Sequence, residues 1–332
     1  MVQHHNREQQ GAATATPVIG VLTNRDSDRN RRIWPRLCRQ IQRNSGVFHF
    51  ELRRIADVSQ ALQMFADAQV CALVINGGDG TVQAVLSCLI NERPFASPPP
   101  LAVLPGGKTN MIAADLGLRG RPDRQLRRLL KRFRHKRKHP KPVERRVIAL
   151  DLGDGGPPRV GMFFGTAGAV NGLLWCRERV HPMALPSWAA HAIALSLLVL
   201  AAIFRPRHSP LASHPIRLRF DGGEELNGRY TIVLATTLAH LLFRLRPFGR
   251  TGQGGLKISA VEAGAKPMVR GLLALLTGRF ASGRVAGVHT RRTDWLRIEG
   301  EDPITLDGEI YRPQPGRAVT LSSAHQLTFL KL

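Results

Sequence analysis

The feature that most constrains this chain lies between residues 70 and 90. The apolar run Val70 to Ile75 passes directly into Asn76-Gly77-Gly78-Asp79-Gly80-Thr81, and then into Val82 to Ile90 with helical spacing. A short run that is apolar throughout reads as a strand buried on both faces, and a strand turning through glycines into a helix is the corner of a parallel α/β sheet. Open sheets of this kind bind ligands at the carboxyl ends of their strands, where such a turn sits. Glycines let backbone approach phosphate oxygens, and the first helical turn offers unpaired N–H groups and a favourable dipole. Asp79 is the odd member. A carboxylate beside a phosphate-binding turn is unfavourable unless a metal or a transferred proton compensates, so it points to Mg²⁺ or catalysis. The alternative is a structural turn in which Asp79 caps the helix.

The surrounding sequence has the same texture. Val18 to Leu22 reads as a strand ending at Asn24, Arg36 to Arg43 as a helix, Phe48 to Arg53 as a strand and Val58 to Ala68 as a helix. Leu101 to Leu104 adds a strand ending at Pro105-Gly106-Gly107, and Asn110 to Leu116 begins another helix. An α/β domain with a Rossmann-like parallel sheet is therefore expected over residues 17–146. Beyond it the pattern changes to period two. Val147 to Leu152 and Val160 to Phe164 flank Asp154-Gly155-Gly156, and Ile216 to Phe220 and Tyr230 to Ala235 flank Asp221-Gly222-Gly223, as in antiparallel hairpins. Leu256 to Val261, Trp295 to Ile298, Ile304 to Leu306 and Leu327 to Leu330 continue it. A mainly β domain is expected over 147–320. Residues 1–16 are polar, lack the apolar core of a signal peptide and read as a disordered lead-in. Trp188 to Phe204 carries no formal charge but is shorter than the roughly 20 residues of a spanning helix, which favours a buried or membrane-dipping helix.

Charge narrows the partners. The 332 residues hold 48 Lys and Arg against 24 Asp and Glu, a formal +24, and 40 of the cations are Arg. Guanidinium groups pair bidentately with phosphates and carboxylates, which points to nucleic acid, anionic lipid or phosphorylated small molecules. Residues 121–146 alone carry 13 cations and two acids. Leu126, Leu129, Leu130 and Phe133 form one apolar face beneath them, so this segment reads either as a solvated basic helix closing the first domain or as an anion- or membrane-facing surface. Aromatic residues are only 6%, and Phe133 is the one aromatic in the basic stretch, so nucleic acid is not expected. The four cysteines form no C-x-x-C pair, and neither a zinc site nor a disulfide framework is indicated.

Two further motifs accompany the first. Leu104-Pro105-Gly106-Gly107-Lys108-Thr109-Asn110 is a second glycine turn after a strand; it is not a P-loop, since the required first glycine would fall at Ala102. Lys108, Thr109 and Asn110 are placed to meet the same phosphates. Leu306-Asp307-Gly308-Glu309 ends a short strand much further on and alone reads as a hairpin turn.

Together, Gly77-Gly78-Asp79-Gly80-Thr81, then Pro105, Gly107, Asn110, Ala113 and Asp115-Leu116-Gly117, and finally Asp307-Gly308-Glu309 resemble the diacylglycerol kinase catalytic family, bacterial lipid kinases related to sphingosine and ceramide kinases. The resemblance implies an N-terminal α/β nucleotide-binding domain of the NAD kinase/diacylglycerol kinase type, a C-terminal β-sandwich, ATP with Mg²⁺ between them, and a last strand within 321–332 that returns to the first domain. Asn24 and Ser27 then resemble a first phosphate loop, with Arg25 and Asp28 where Pro and Gly are usual. Asn76 to Thr81, with Gly107 to Asn110, would hold ATP phosphates. Asp307 would be the general base, with Asp79 second, and Glu309 with Asp79 would meet the catalytic Mg²⁺. Lys108 and Met111 stand where the family commonly has Thr and Asp. Gly252-Gln253-Gly254-Gly255-Leu256-Lys257 lacks the carboxylates of the structural Mg²⁺ segment seen in many bacterial members, so that second metal site is expected to be absent. The implied acceptor is a diacylglycerol- or sphingolipid-type alcohol, met by a cytosolic protein held peripherally on an anionic membrane. A soluble-substrate kinase of the NAD kinase type, or a non-catalytic lipid or nucleotide sensor, is the alternative.

Overall fold

The computed structural model describes residues 18–135, 139–179, 211, 213–241, 245–282, 285–300 and 302–332. The expected lead-in at 1–16 and the uncharged segment 188–204 lie outside the described residues. The chain begins with β1 (Ile19–Asn24), α1 (Asp28–Gln42), β2 (Val47–Leu52), α2 (Val58–Asp67), β3 (Ala72–Gly77), α3 (Asp79–Asn91) and β4 (Leu101–Pro105). The four strands lie parallel in the order β2-β1-β3-β4. Strands β1, β3 and β4 are buried almost end to end, because helices cover both faces of a parallel sheet. Leu22, Ile75 and Leu104 of the sheet meet Leu37, Phe65 and Leu86 of the helices in one core.

The helix expected from Arg36 in fact begins at Asp28 and runs through Pro35. Proline has no N–H to give the preceding turn, which reads as a break in sequence. Its buried face, Asn30, Leu37 and Ile41, lies on both sides of Pro35 and keeps the helix whole. Next come α4 (Met111–Asp115), α5 (Pro122–Arg134) and β5 (Lys141–Arg146). The first part of the basic stretch is thus a helix, with Pro122 at its first turn.

The named strands of the second half pair antiparallel with one another. It comprises β6 (Ile148–Asp151), β7 (Arg159–Gly161), β8 (Phe163–Ala167), α6 (Gly168–Arg179), β9 (His214–Phe220), β10 (Glu225–Thr236), β11 (Leu256–Glu262), α7 (Ala265–Leu276), β12 (Val288–Thr293), β13 (Trp295–Glu299), β14 (Ile304–Leu306), β15 (Glu309–Tyr311) and β16 (Val319–Ser322). The strands run β15-β14-β8-β10-β9-β13-β16-β6-β7, with β11 joining β10 to β12. Strand β10 serves two walls. Glu225 to Tyr230 pair with β9, and after a register shift Ile232 to Thr236 pair with β8 and β11. Phe164, Val233 and Leu256 from one wall and Leu150, Leu218 and Leu296 from the other share one core, the layered packing of an antiparallel β domain.

The chain then returns. Strand β17 (Gln326–Lys331) enters the first sheet, parallel to β4 through Phe329 and Leu101 and antiparallel to β5 along its whole length. Helix α3 ties the halves together as well. Ser87 Oγ accepts the Val160 N–H at 2.9 Å, and Asn91 Nδ2 donates to the Pro158 carbonyl at 2.9 Å. No helix among the described residues is long and apolar enough to cross a membrane.

Candidate active site

Neighbouring strands β3 and β4 end side by side, so their glycine turns pack against each other. The Gly106 N–H donates to the Gly77 carbonyl at 3.1 Å. A Cβ on Gly107 would stand 2.6 Å from Gly78 Cα, so backbone occupies the space that a side chain would need. Asn110, left-handed at φ 53°, fastens the second turn: its Oδ1 accepts the Gly107 N–H at 2.7 Å and its Nδ2 donates back to the Gly107 carbonyl. Asn24 Nδ2 donates to Thr81 Oγ1 at 2.9 Å, joining β1 to the first turn of α3. Asn30, which the sequence reading missed, is fully buried and donates to the carbonyls of Asn24 at 2.8 Å and Asn76 at 3.1 Å, locking two strand ends together.

A cleft of about 900 Å³ opens above these turns, lined by Asn24, Ser27, Gly78, Gly80, Thr81 and Glu309 among the expected residues. Asn76, Gly77, Gly107 and Asn110 lie buried beneath it as framework. Lys108 and Thr109 are exposed on the second turn, and neither side chain bonds to another described residue. Both polar atoms of the Asn76 amide are buried and without a protein partner, which leaves unmet hydrogen-bonding capacity at the turn.

The acidic residues arrive from the second half of the chain. Leu306 pairs with Glu309, so Asp307 and Gly308 form a two-residue hairpin loop, with φ 49° and 92°. Asp-Gly suits such a turn because both positions need positive φ. The Asp307 carboxylate accepts the Met162 N–H, at 3.0 Å to Oδ2, and the Phe163 N–H, at 2.9 Å to Oδ1. Gly161, also missed, gives it room: a Cβ there would collide with Asp307 Oδ2. Glu309 rests on the first glycine turn, its Oε1 2.8 Å from where a Cβ on Gly80 would lie. Gln83, a third missed residue, donates to the Leu306 carbonyl at 3.1 Å across 223 residues of sequence and accepts the Tyr311 hydroxyl at 3.1 Å.

Asp79 opens α3, with Oδ2 3.5 Å from the Met111 N–H. The residue keeps some solvent contact, yet its carboxyl is crowded by protein, and desolvation pushes its pKa up to about 6 against the opposing backbone N–H groups of Met111, Ile112 and Asn110. Burial, then the charge of Asp79, holds Asp307 well above the usual carboxylate range, again against its N–H donors. Two crowded carboxyls, one of which raises the proton affinity of the other, are short of a cation. At the segment expected to lack a structural metal, Lys257 Nζ donates to the Leu238 carbonyl at 2.6 Å, and burial lowers its pKa to about 8.

An open α/β sheet whose glycine turns lie against a carboxylate hairpin from an antiparallel β domain defines a class of two-domain protein with a cleft at the ends of the parallel strands. Residues 19–139 match the family model of the diacylglycerol kinase catalytic domain. Two solved structures described as putative diacylglycerol kinases from Bacillus anthracis str. Sterne are similar, each at TM-score 0.64 and 17% identity over 95% of this chain and 97% of theirs. A third, described as a diacylglycerol kinase from the same organism, has TM-score 0.57 and 16% identity over 96% of this chain and 97% of its own. No curated protein matches the chain. The resemblance drawn from the motifs and the expected fold class are borne out.

Proposed function

We propose that the protein is an ATP-dependent lipid kinase that phosphorylates the hydroxyl of a diacylglycerol- or sphingolipid-type alcohol. The observation that carries this reading is the seating of the Asp307–Glu309 hairpin on the Asp79–Gly80 turn, which brings acid groups to a phosphate-type cleft. The residues fit a nucleotide with its cation. Asn24, Ser27, Thr81 and the N–H groups of the first glycine turn would hold the phosphates, while Asp79 and Glu309 would meet Mg²⁺. The raised carboxyl pKa values and the unpartnered Asn76 amide are what such ligands would relieve. Bound Mg²⁺ supplies neutralisation of charge on the phosphates.

Asp307 takes the proton of the acceptor hydroxyl as the alcohol oxygen bonds to the γ-phosphorus and ADP leaves. Burial and the charge of Asp79 raise its proton affinity above that of an ordinary carboxylate, which strengthens it as a base. The N–H groups of Met162 and Phe163 fix its direction. The structural metal site is absent in this reading, the Lys257 ammonium serving the carbonyls there.

The decisive experiment is labelled-ATP transfer against a panel of lipid alcohols, with NAD as a soluble acceptor and Asp307→Asn as the control. Product on a lipid alcohol, lost in Asp307→Asn, supports the reading. Transfer to NAD alone would replace it with the soluble-substrate kinase, and nucleotide binding without transfer to any acceptor would replace it with a sensor.

A further inference from the structure

The largest charged feature of the molecule lies outside the cleft. Arg36 and Arg39 on α1 and Arg43 at its C-terminal cap are spaced i, i+3, i+7, and Arg124, Arg127 and Lys131 repeat that spacing on α5, so each helix carries one cationic stripe. Both stripes line one groove of about 1010 Å³ between the two helices. The groove is built at both ends: Arg29 donates to the Gly120 carbonyl at 3.1 Å near the glycine turns, and Arg134 donates to Asn44 Oδ1 at 2.6 Å at the far end. Its single carboxylate, Asp123, is already held by Arg121 through two hydrogen bonds of 3.1 and 2.8 Å. None of the six stripe cations has a carboxylate partner among the described residues. Holding that many cations together costs self-repulsion, which a polyanion would remove. Leu130 is the one large apolar side chain in the lining and its only ring is the His135 imidazole, with no Phe, Tyr or Trp, so an acyl chain or a run of stacked bases finds little seat.

We infer that the groove between α1 and α5 is a second, non-catalytic binding site for clustered phosphate groups, independent of the kinase reading. Guanidinium forks along both walls suit phosphate oxygens taken bidentately. The groups come either from a soluble polyphosphate or from the headgroups of an anionic bilayer, and the two sources share this chemistry. Through Arg29, whose N–H donates to the Gly106 carbonyl at 2.9 Å, α1 also touches the second glycine turn, which connects the groove with the cleft.

The test is calorimetric titration with inorganic tripolyphosphate, alongside flotation with phosphatidylglycerol vesicles, using wild type, Arg124→Glu/Arg127→Glu and the control Arg250→Glu. A fluorescent ATP analogue reports the cleft separately. Tripolyphosphate should bind wild type, raise its melting temperature and lose affinity by about tenfold or more between 50 and 200 mM salt. The double variant should lose that binding while keeping its affinity for the ATP analogue, and Arg250→Glu should behave as wild type. Vesicle binding lost in the same variant assigns a bilayer source, and vesicle binding retained assigns a soluble one; either supports the site. Unchanged tripolyphosphate binding in the double variant overturns the proposal, as does loss only in step with the ATP analogue. Tighter, aromatic-independent capture of RNA than of tripolyphosphate would overturn it in favour of a nucleic-acid surface.

Discussion

At the scale of single residues the acid pair, on which the proposed reaction rests, carries a stability cost. Asp79 has a raised folded pKa, near 6 against 3.8, and Asp307 shifts in the same direction. A group with raised folded pKa is bound to its proton more tightly in the native state, so its contribution to stability is full below about pH 4 and is lost as pH rises through about 6. Asp79→Asn should therefore flatten this part of the pH profile and raise ligand-free stability at pH 7 by about 1 kcal/mol while phosphoryl transfer disappears. Thermal melts at pH 5 and pH 7 beside the transfer assay check both halves. Lys108 stands exposed on the second glycine turn, where in the proposed reaction its ammonium would add a charge-assisted bond to a phosphate. Lys108→Ala should raise KM for ATP several-fold with kcat changed less; unaltered nucleotide affinity would remove that role. The glycine turns and Asp307 were legible because each motif is local in sequence. Asn30, Gln83 and Gly161 were not, since their partners are remote and no short pattern marks them. Gln83 did leave a trace, as a polar residue set between Val82 and Ala84 on the buried side of the helix.

Among elements, α3 connects the glycine turn to the acidic hairpin through Gln83. Gln83→Leu fills the same space but leaves the Leu306 carbonyl and the Tyr311 hydroxyl without this partner. It should cost about 1–3 kcal/mol in urea unfolding, and kcat should fall because the hairpin bearing Asp307 loses its anchor. A variant of wild-type stability and activity would show that backbone pairing alone holds the hairpin. The strands with strong alternation or continuous apolar runs, among them β1, β3, β9 and β13, were plain in the sequence. Strands β12, with two arginines in six residues, and β16, four residues long, were not, because cross-strand pairing rather than their own pattern selects them. Helix α1 shows the reverse error: a local breaker, Pro35, was overridden by burial on both sides of it.

For the whole molecule, charge and topology decide behaviour. If the clustered phosphates met by the α1–α5 groove belong to a bilayer, the whole basic stretch 121–146 adds to the attraction, each cation near an anionic surface contributing about 1 kcal/mol at low screening. Flotation with anionic vesicles should weaken steeply with added salt, and salt-insensitive retention would require an apolar anchor instead. Removing residues 326–332 would strip Leu327, Phe329 and Leu330 from the first core and open an unpaired gap between β4 and β5. The shortened chain should show no cooperative thermal transition by circular dichroism, since a sheet exposed along an interior seam invites aggregation. The same insertion orders events during synthesis. At about 5–20 residues per second, the ribosome finishes β17 roughly ten seconds or more after β5. Until then β4 and β5 wait apart, so the first sheet of a nascent chain stays unfinished, with the glycine turns already made, until β17 can enter between them.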